Sequence, residues 1–305
     1  ARRAWADGEI ADKLDYIARM HESHSVLFSY ADLLQQTDIE KIEITDEGVV
    51  MTWRDSGVKL AADRVDQRIA PVDTLNFSKY EPEETAMLLR LVSDGDVFWD
   101  IGANHGWYVA NFALRYPNVR IEAFEPVPKT YAALERNVAR NGIEQQVNLH
   151  KHGFSNEPGE ATFFFYAAGG ANGSLRDLSG REDVQEIKVE MRLVDDLVDE
   201  GTPLPDFIKI DVEGAELLVL QGAVKTLEAS KAPVFAELLR KWSKPFGYQP
   251  QDVITLMAGI GYRCFTIHDG KLVATEVIND DTVETNFLFL HTERSASDIA
   301  DLERY

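Results

Sequence analysis

A doubly wound, mostly parallel α/β sheet with an N-terminal helix-plus-hairpin appendage follows from three observations. From Pro82 onward, short apolar runs alternate with stretches of helical length, as in parallel strands joined by crossover helices. Within that alternation, residues 98–126 contain an apolar strand ending in Asp100, a tight turn carrying Gly102 and Gly106, a helix, and a second strand ending in Glu125. That strand–turn–helix–strand unit is the kind that holds an adenosine-type cofactor. Before residue 80 the pattern changes to helical periodicity followed by short alternating runs.

Residues 8–36 read as helical, because Ile10, Leu14 and Ile17 recur at i, i+4, i+7 and Leu27, Ala31 and Leu34 continue the stripe. This helix could cover the catalytic domain or make a homodimer contact. Residues 41–45 alternate, Asp46-Glu47-Gly48 turns the chain and residues 49–53 return, which predicts a β-hairpin. Ser56-Gly57 turns again before residues 58–61. Further on, helices are predicted at 83–92, 107–115, 128–140, 215–229 and 250–258. Strands are predicted at 97–101, 120–124, 147–150, 207–211, 234–237, 263–268 and 286–291, with a β-rich stretch at 161–166. The boundaries become an appendage at 1–80, a catalytic domain at 81–292 and a tail at 293–305, in which 298–305 is a short helix or a frayed end.

At 305 residues the chain can bury one full α/β core plus an appendage. Its 31 basic and 52 acidic residues give a net charge of −21, which repels nucleic acid and anionic lipid. The single cysteine, Cys264, excludes an internal disulfide or a Cys-based metal cluster and reads as a buried strand residue. With no run of about 18 apolar residues and no visible signal peptide, a cytoplasmic soluble enzyme is the plain expectation.

The turn itself narrows the cofactor. Between Gly102 and Gly106 stand Ala103, Asn104 and His105, so the middle glycine that lets a backbone approach a pyrophosphate is missing. Asp100 would repel a pyrophosphate but attract an ammonium. S-adenosylmethionine meets both conditions: it has no phosphate, its α-ammonium suits Asp100, and its carboxylate suits the turn amides and helix N-terminus at Trp107. Glu125 would then accept hydrogen bonds from the ribose hydroxyls.

In open α/β sheets the ligand lies beyond the carboxyl ends of the strands. Those ends carry Asp100 to Gly106, Glu125-Pro126, Gly153-Phe154-Ser155, Asp211-Val212-Glu213-Gly214 and Glu237. Asp100-Ile101-Gly102-Ala103-Asn104-His105-Gly106-Trp107-Tyr108, then Phe124-Glu125-Pro126-Val127-Pro128 with Asn137 and Asn141-Gly142, then the run 208–216 resemble the FkbM-type S-adenosylmethionine-dependent methyltransferases. The resemblance extends from about Tyr80-Glu81 to His291, takes in residues 193–196 and Gly261-Tyr262, and excludes residues 1–75. It departs at His105, where the family commonly has an aliphatic residue. It implies a seven-stranded Rossmann-like methyltransferase sheet whose last strand is antiparallel, supplied here by residues 286–291. It also implies O-methylation of hydroxyls on sugar, polysaccharide or secondary-metabolite acceptors. The cofactor-binding residues are then expected to be Asp100, Gly102, Ala103, Asn104, Gly106, Trp107, Glu125, Pro126, Phe154, Ser155 and Asp211.

Methyl transfer to an alcohol needs the acceptor oxygen held in line and helped to lose its proton. Asp211 is the first candidate base, with Glu213 second and Glu237 third. The same acids could hold Mg²⁺ through oxygen ligands, although no Asp-Asn pair follows the second strand tip, so carboxylate assistance without metal is preferred. Lys209 shares a strand face with Asp211 and is read as neutralising an acid. His21 and His24 lie three apart on a helix without a third ligand, which favours solvated or packing roles. His152 could edge an adenine pocket. The glycine-rich run 169–174 reads as a loop near the acceptor, and residues 240–248 as a lid or a packed connection. An NAD-dependent oxidoreductase or epimerase is the alternative, disfavoured by the missing glycine and the lack of a Tyr-x-x-x-Lys pair. A non-catalytic binding module on the same fold is the other.

Overall fold

The structure, a computed structural model, describes residues 1–166, 173–177, 184–279 and 281–303. The N-terminal part runs α1 (Arg2–Ala6), α2 (Lys13–His24), α3 (Val26–Leu34), β1 (Ile39–Thr45), β2 (Gly48–Trp53), β3 (Lys59–Ala62), α4 (Ala70–Phe77) and α5 (Pro82–Leu91). The α/β part follows with β4 (Val97–Ile101), α6 (Trp107–Arg115), β5 (Arg120–Phe124), α7 (Pro128–Asn141), β6 (Val147–His150), β7 (Gly153–Phe154), β8 (Gly159–Tyr166), β9 (Val184–Arg192) and α8 (Val194–Asp199). It continues with β10 (Phe207–Ile210), α9 (Glu216–Gln221), α10 (Val224–Ser230), β11 (Val234–Glu237), α11 (Arg240–Ser243), α12 (Pro250–Gly259), β12 (Tyr262–His268), β13 (Lys271–Ala274), β14 (Asn286–His291) and α13 (Ala296–Leu302).

The central sheet has the order β13-β12-β14-β11-β10-β4-β5-β6. Strands β11, β10, β4, β5 and β6 are mutually parallel, and β14 inserts antiparallel between β11 and β12. The antiparallel strand at 286–291 is therefore present within a run of seven strands from β6 to β12, and among the described residues one more strand is added at the edge. The extra strand, β13, returns antiparallel along β12. Asp269 and Gly270 both hold positive φ between them, which is the backbone twist a two-residue hairpin turn requires. A second small sheet, β7-β9-β8, stands beside the first; β8 is the β-rich stretch expected at 161–166. Most of the glycine-rich run 169–174 lies outside the described residues.

Side-chain alternation sorts the central strands into two cores. On β4, Phe98 enters one hydrophobic cluster while Val97, Trp99 and Ile101 enter the other, as the two-residue period of a strand requires. The Phe98 side also receives Ile39, Met51, Trp53 and Leu60 of the small N-terminal sheet. Asn137 and Asn141 of α7 tie that sheet down, with Ala61 N–H donating to Asn137 Oδ1 at 3.2 Å and Lys59 N–H donating to Asn141 Oδ1 at 2.9 Å.

Local differences from the predicted elements have local causes. The predicted helix at 215–229 is broken into α9 and α10, because Asp195 accepts the Thr226 N–H at 2.8 Å and the Lys225 N–H at 3.2 Å and so starts a new helix there. No residue of α1, α2 or α3 is fully buried; of the predicted stripe, Leu34 packs against the Phe98 core while Leu14, Ile17 and Leu27 are exposed. The C-terminal segment is docked rather than frayed: Ile299 and Leu302 of α13 are buried in the core that holds Phe98. Among the described residues, no helix is long and apolar enough to cross a membrane.

Candidate active site

The centre of the site is set by strand register. Lys209 on β10 pairs with Asp100 on β4, and both side chains leave the sheet on the same face. Lys209 Nζ lies 3.4 Å from Asp100 Oδ1 and 3.4 Å from Asp211 Oδ2, and it donates to the Gly102 carbonyl at 2.9 Å. Burial alone would lower the lysine pKa, but Asp100, Asp211, Glu81 and Glu237 outweigh it and raise it. The ammonium is therefore a fixed charge, and its expected role in neutralising an acid is met by this ion pairing. Asp100 was expected to meet a ligand's ammonium, yet it is 1% exposed and faces Lys209. Lys209 supplies the opposing charge, and both Asp100 carboxylate oxygens are buried without a hydrogen-bond partner among the described residues.

The turn after β4 is held from three directions. Gly102 and Ala103 N–H groups both donate to the Phe124 carbonyl at 3.0 Å, and Asp211 N–H donates to the Ile101 carbonyl at 3.0 Å. Gly102 has φ +80, and a Cβ there would stand 1.9 Å from the Asp211 carbonyl oxygen. Only glycine permits both the left-handed backbone and the close approach. Asn104 also holds a positive φ of 51, a conformation asparagine tolerates. His105 is buried, its Nδ1 bonded to Asn104 Oδ1, and its carbonyl accepts Asn137 Nδ2 at 2.8 Å.

Glu125 turns back onto this loop. Its Oε2 accepts the Asn104 N–H at 3.1 Å and its Oε1 accepts the Val127 N–H at 2.9 Å. Burial pushes the carboxyl up to about 7 despite those bonds. Each oxygen keeps a further lone pair for a ligand hydroxyl.

Two chambers flank the turn. The first holds about 590 Å³ of empty space, part of it open to solvent, and is lined by Gly102, Glu125, Pro126, His152 and Phe154 among others. His152 and Phe154 meet edge to face at 5.1 Å, and burial drops the His152 pKa to about 4, so the ring is neutral. Glu125, Asp211 and Glu213 line this chamber, and no Lys or Arg does so among the described residues. The second, about 440 Å³, lies on the appendage side and is lined by Arg68, Tyr80, Glu81, Trp107, Tyr108 and Lys209 among others. Asn104 and Asp211 line both chambers.

Asp211 is the hub of an acid cluster. Glu237 shares a hydrogen bond with it, and burial, with Asp211 and Glu213 adding repulsion, holds the Glu237 carboxyl far above the usual carboxylate range. Burial and Asp211 likewise push Glu213 up; its Oε2 is buried without a hydrogen-bond partner, and its φ is +55. The loop beneath is braced by Glu216, whose Oε1 accepts the Gly214 N–H at 3.0 Å and the Val212 N–H at 3.2 Å. Tyr248 Oη lies 3.1 Å from Glu216 Oε2 and 2.9 Å from the Gly214 carbonyl. Residues 240–248 thus pack under the loop, with Ser243 and Tyr248 buried. Among the described residues, no three His, Cys, Asp or Glu side chains are grouped to hold a metal ion.

Of the expected cofactor residues, Gly102, Asn104, Glu125, Pro126, Phe154 and Asp211 line the first chamber, and Ala103 and Trp107 line the second. Asp100, Gly106 and Ser155 line neither. Ser155 is turned aside because its N–H joins the Arg192 carbonyl and its hydroxyl joins Asn156. Gly106 is the N-cap of α6 at φ +86. Sequence reasoning passed over Glu81, Arg68 and Tyr108. Tyr80 and Glu81 marked only where the family resemblance began, and nothing local tied Arg68 to a site.

The chain is similar to several known methyltransferases. The family model described as the Methyltransferase FkbM domain matches residues 100–264, more than half of the chain. The 31-O-demethyl-FK506 methyltransferase FkbM of Streptomyces tacrolimicus is 28% identical over 211 residues, covering 60% of this chain and 78% of the relative. Hexuronic acid methyltransferase AglP of Haloferax volcanii is 29% identical over 180 residues, covering 58% of this chain and 68% of its own. A solved Methyltransferase FkbM from Methylobacillus flagellatus aligns over 76% of this chain and 56% of its own, at 18% identity and a TM-score of 0.45.

Proposed function

Because the chain belongs to the FkbM methyltransferase family, we propose that it moves a methyl group from S-adenosylmethionine to a hydroxyl of a sugar, polysaccharide or secondary-metabolite acceptor. The observation that carries the choice of donor is the first chamber, lined by Glu125, Asp211 and Glu213 and by no cation among the described residues. A diphosphate cofactor would meet the Asp211 carboxylate and no cation among the described residues there, whereas a sulfonium meets opposite charge. When bound, S-adenosylmethionine supplies a methyl group activated by its positive sulfur.

The chain's own residues then have defined tasks. Glu125 receives ribose hydroxyls through its remaining lone pairs, and Phe154 and His152 form the aromatic edge for an adenine. Asp211, at the junction of the chambers, takes the proton of the acceptor hydroxyl as the oxygen displaces the thioether in line. Lys209 supplies the positive charge opposite Asp211 and fixes the Gly102 carbonyl. Burial pushes the Glu237 and Glu213 carboxyls up, and Asp211, on the wall of both chambers, is the acid placed to accept the proton. The relatives' acceptors, a demethylated FK506 and a hexuronic acid by their names, support a hydroxylated small molecule or glycan. A net charge of −21 disfavours nucleic acid as acceptor. Exposed Leu14, Ile17 and Phe28 on α2 and α3 make those helices the proposed homodimer contact.

The test is transfer of a labelled methyl from S-adenosylmethionine across a panel of hydroxylated acceptors. Label appearing as an alkali-stable ether supports O-methylation; label confined to amines would overturn it.

A further inference from the structure

We propose that the second chamber receives the α-amino-acid end of the methyl donor, with Glu81 taking its ammonium and Arg68 its carboxylate. This rests on the donor proposed above and assigns a subsite to residues of the N-terminal segment. A zwitterionic amino-acid group needs an anion and a cation in one enclosure. The first chamber has no cation among the described residues, whereas the second has Glu81 and Arg68 on its wall. The two chambers meet at Asn104 and Asp211, so a ligand with its adenosine end in the first continues into the second along that partition.

Asp100 and Asp211 nearby are both ion-paired with Lys209. Asp100 is 1% exposed and paired with Lys209. Lys209 lies against Asp100, Asp211 and the Gly102 carbonyl, so its charge is already balanced by two acids. Glu81, in contrast, accepts a hydrogen bond only through Oε2, from Tyr108 Oη at 2.6 Å, and its Oε1 has no partner among the described residues. Burial, opposed by the Tyr108 bond, pushes its carboxyl up to about 7, the condition of an acid that gains from an arriving cation. The Arg68 guanidinium makes no hydrogen bond or ion pair among the described residues and lies 5.9 Å over the Trp242 ring. A planar guanidinium in that state suits a carboxylate. Trp107 and Tyr80, edge to face at 5.4 Å, give the methylene stem an apolar wall.

The experiment compares calorimetric affinities of S-adenosylmethionine and 5′-methylthioadenosine, which lacks the amino-acid end, for the full chain and for Glu81→Gln and Arg68→Gln. Glu81→Gln keeps the side chain's shape and an acceptor for Tyr108; Arg68 is exposed, so its loss leaves the core intact. Each substitution is expected to weaken S-adenosylmethionine by about tenfold to a hundredfold while leaving methylthioadenosine within about twofold. If either variant leaves the ratio of the two affinities unchanged, the subsite is wrong. If the unaltered chain binds neither ligand, it is the donor assignment that fails.

Discussion

Asp100 Oδ1 and Lys209 Nζ lie 3.4 Å apart at paired positions of adjacent parallel strands, at 1% and 5% exposure. That relationship redistributes the roles the sequence suggests. The acid at the end of β4 pairs with a lysine, the lysine holds the Gly102 carbonyl, and Asp211, Glu125 and Glu81 are the acids that line the two chambers. A buried pair of this kind contributes little net stability while intact, yet is costly to break from one side.

Replacing Lys209 with Met should therefore destabilise the fold by about 3–5 kcal/mol, because Asp100 is left charged and unpaired. Adding Asp100→Asn should restore a substantial part of the loss. Urea unfolding of both variants checks this; equal instability of the single and double variants would argue against the pair.

Asp211→Asn should lower kcat by about 10²- to 10⁴-fold, the usual share of a general base, and weaken the donor as well, because Asp211 lines its chamber. Single-turnover methyl transfer at saturating donor separates the two effects. Retained turnover would move the proton acceptor to Glu213 or Glu237.

The buried acids predict an inverted pH dependence for the ligand-free protein. Glu81, Glu125 and Glu216 are each pushed by burial up to about 7 from an ordinary 4.5. The folded state then binds more protons than the unfolded chain between those values. Stability is highest below about pH 4.5 for these groups and falls as pH rises through 7, by at most about 1.4 kcal/mol per pH unit per group. Thermal unfolding from pH 5 to 8 should show a falling Tm, and added donor should flatten the slope by giving the ionised acids hydrogen-bond and ionic partners.

Gly102→Ala should disrupt the turn, since its Cβ would fall 1.9 Å from the Asp211 carbonyl on a backbone of φ +80. The expected cost is about 2–4 kcal/mol with loss of donor binding. Gly95→Ala, also at positive φ but with nothing within 4 Å of the new Cβ, should cost less and spare binding.

The parts of the site legible in the sequence were those one strand end determines. An apolar run closed by Asp100 or Glu125, with glycines spaced through the turn, identifies a ligand-bearing edge from local pattern alone. Pairing between strands distant in sequence was not legible: Asp100 meets Lys209 only because β10 lies beside β4. The second chamber was hidden for the same reason, since Arg68 and Glu81 reach the turn through packing of the N-terminal segment. Of the adjacent pair Phe154 and Ser155, only Phe154 lines the first chamber, a distinction that strand phase makes and the run of residues alone does not. The eighth strand, by contrast, had a readable signal in Asp269-Gly270, a hairpin turn followed by residues 271–274.

The first chamber, in the proposed reading, takes a sulfonium donor and excludes a diphosphate cofactor. Calorimetric titration of the full chain with S-adenosylmethionine and, separately, with NAD tests it most directly. Saturable binding of S-adenosylmethionine at sub-millimolar concentration, with no heat of binding from NAD, is the predicted result. Binding of NAD in that range, or no binding of S-adenosylmethionine, would contradict it.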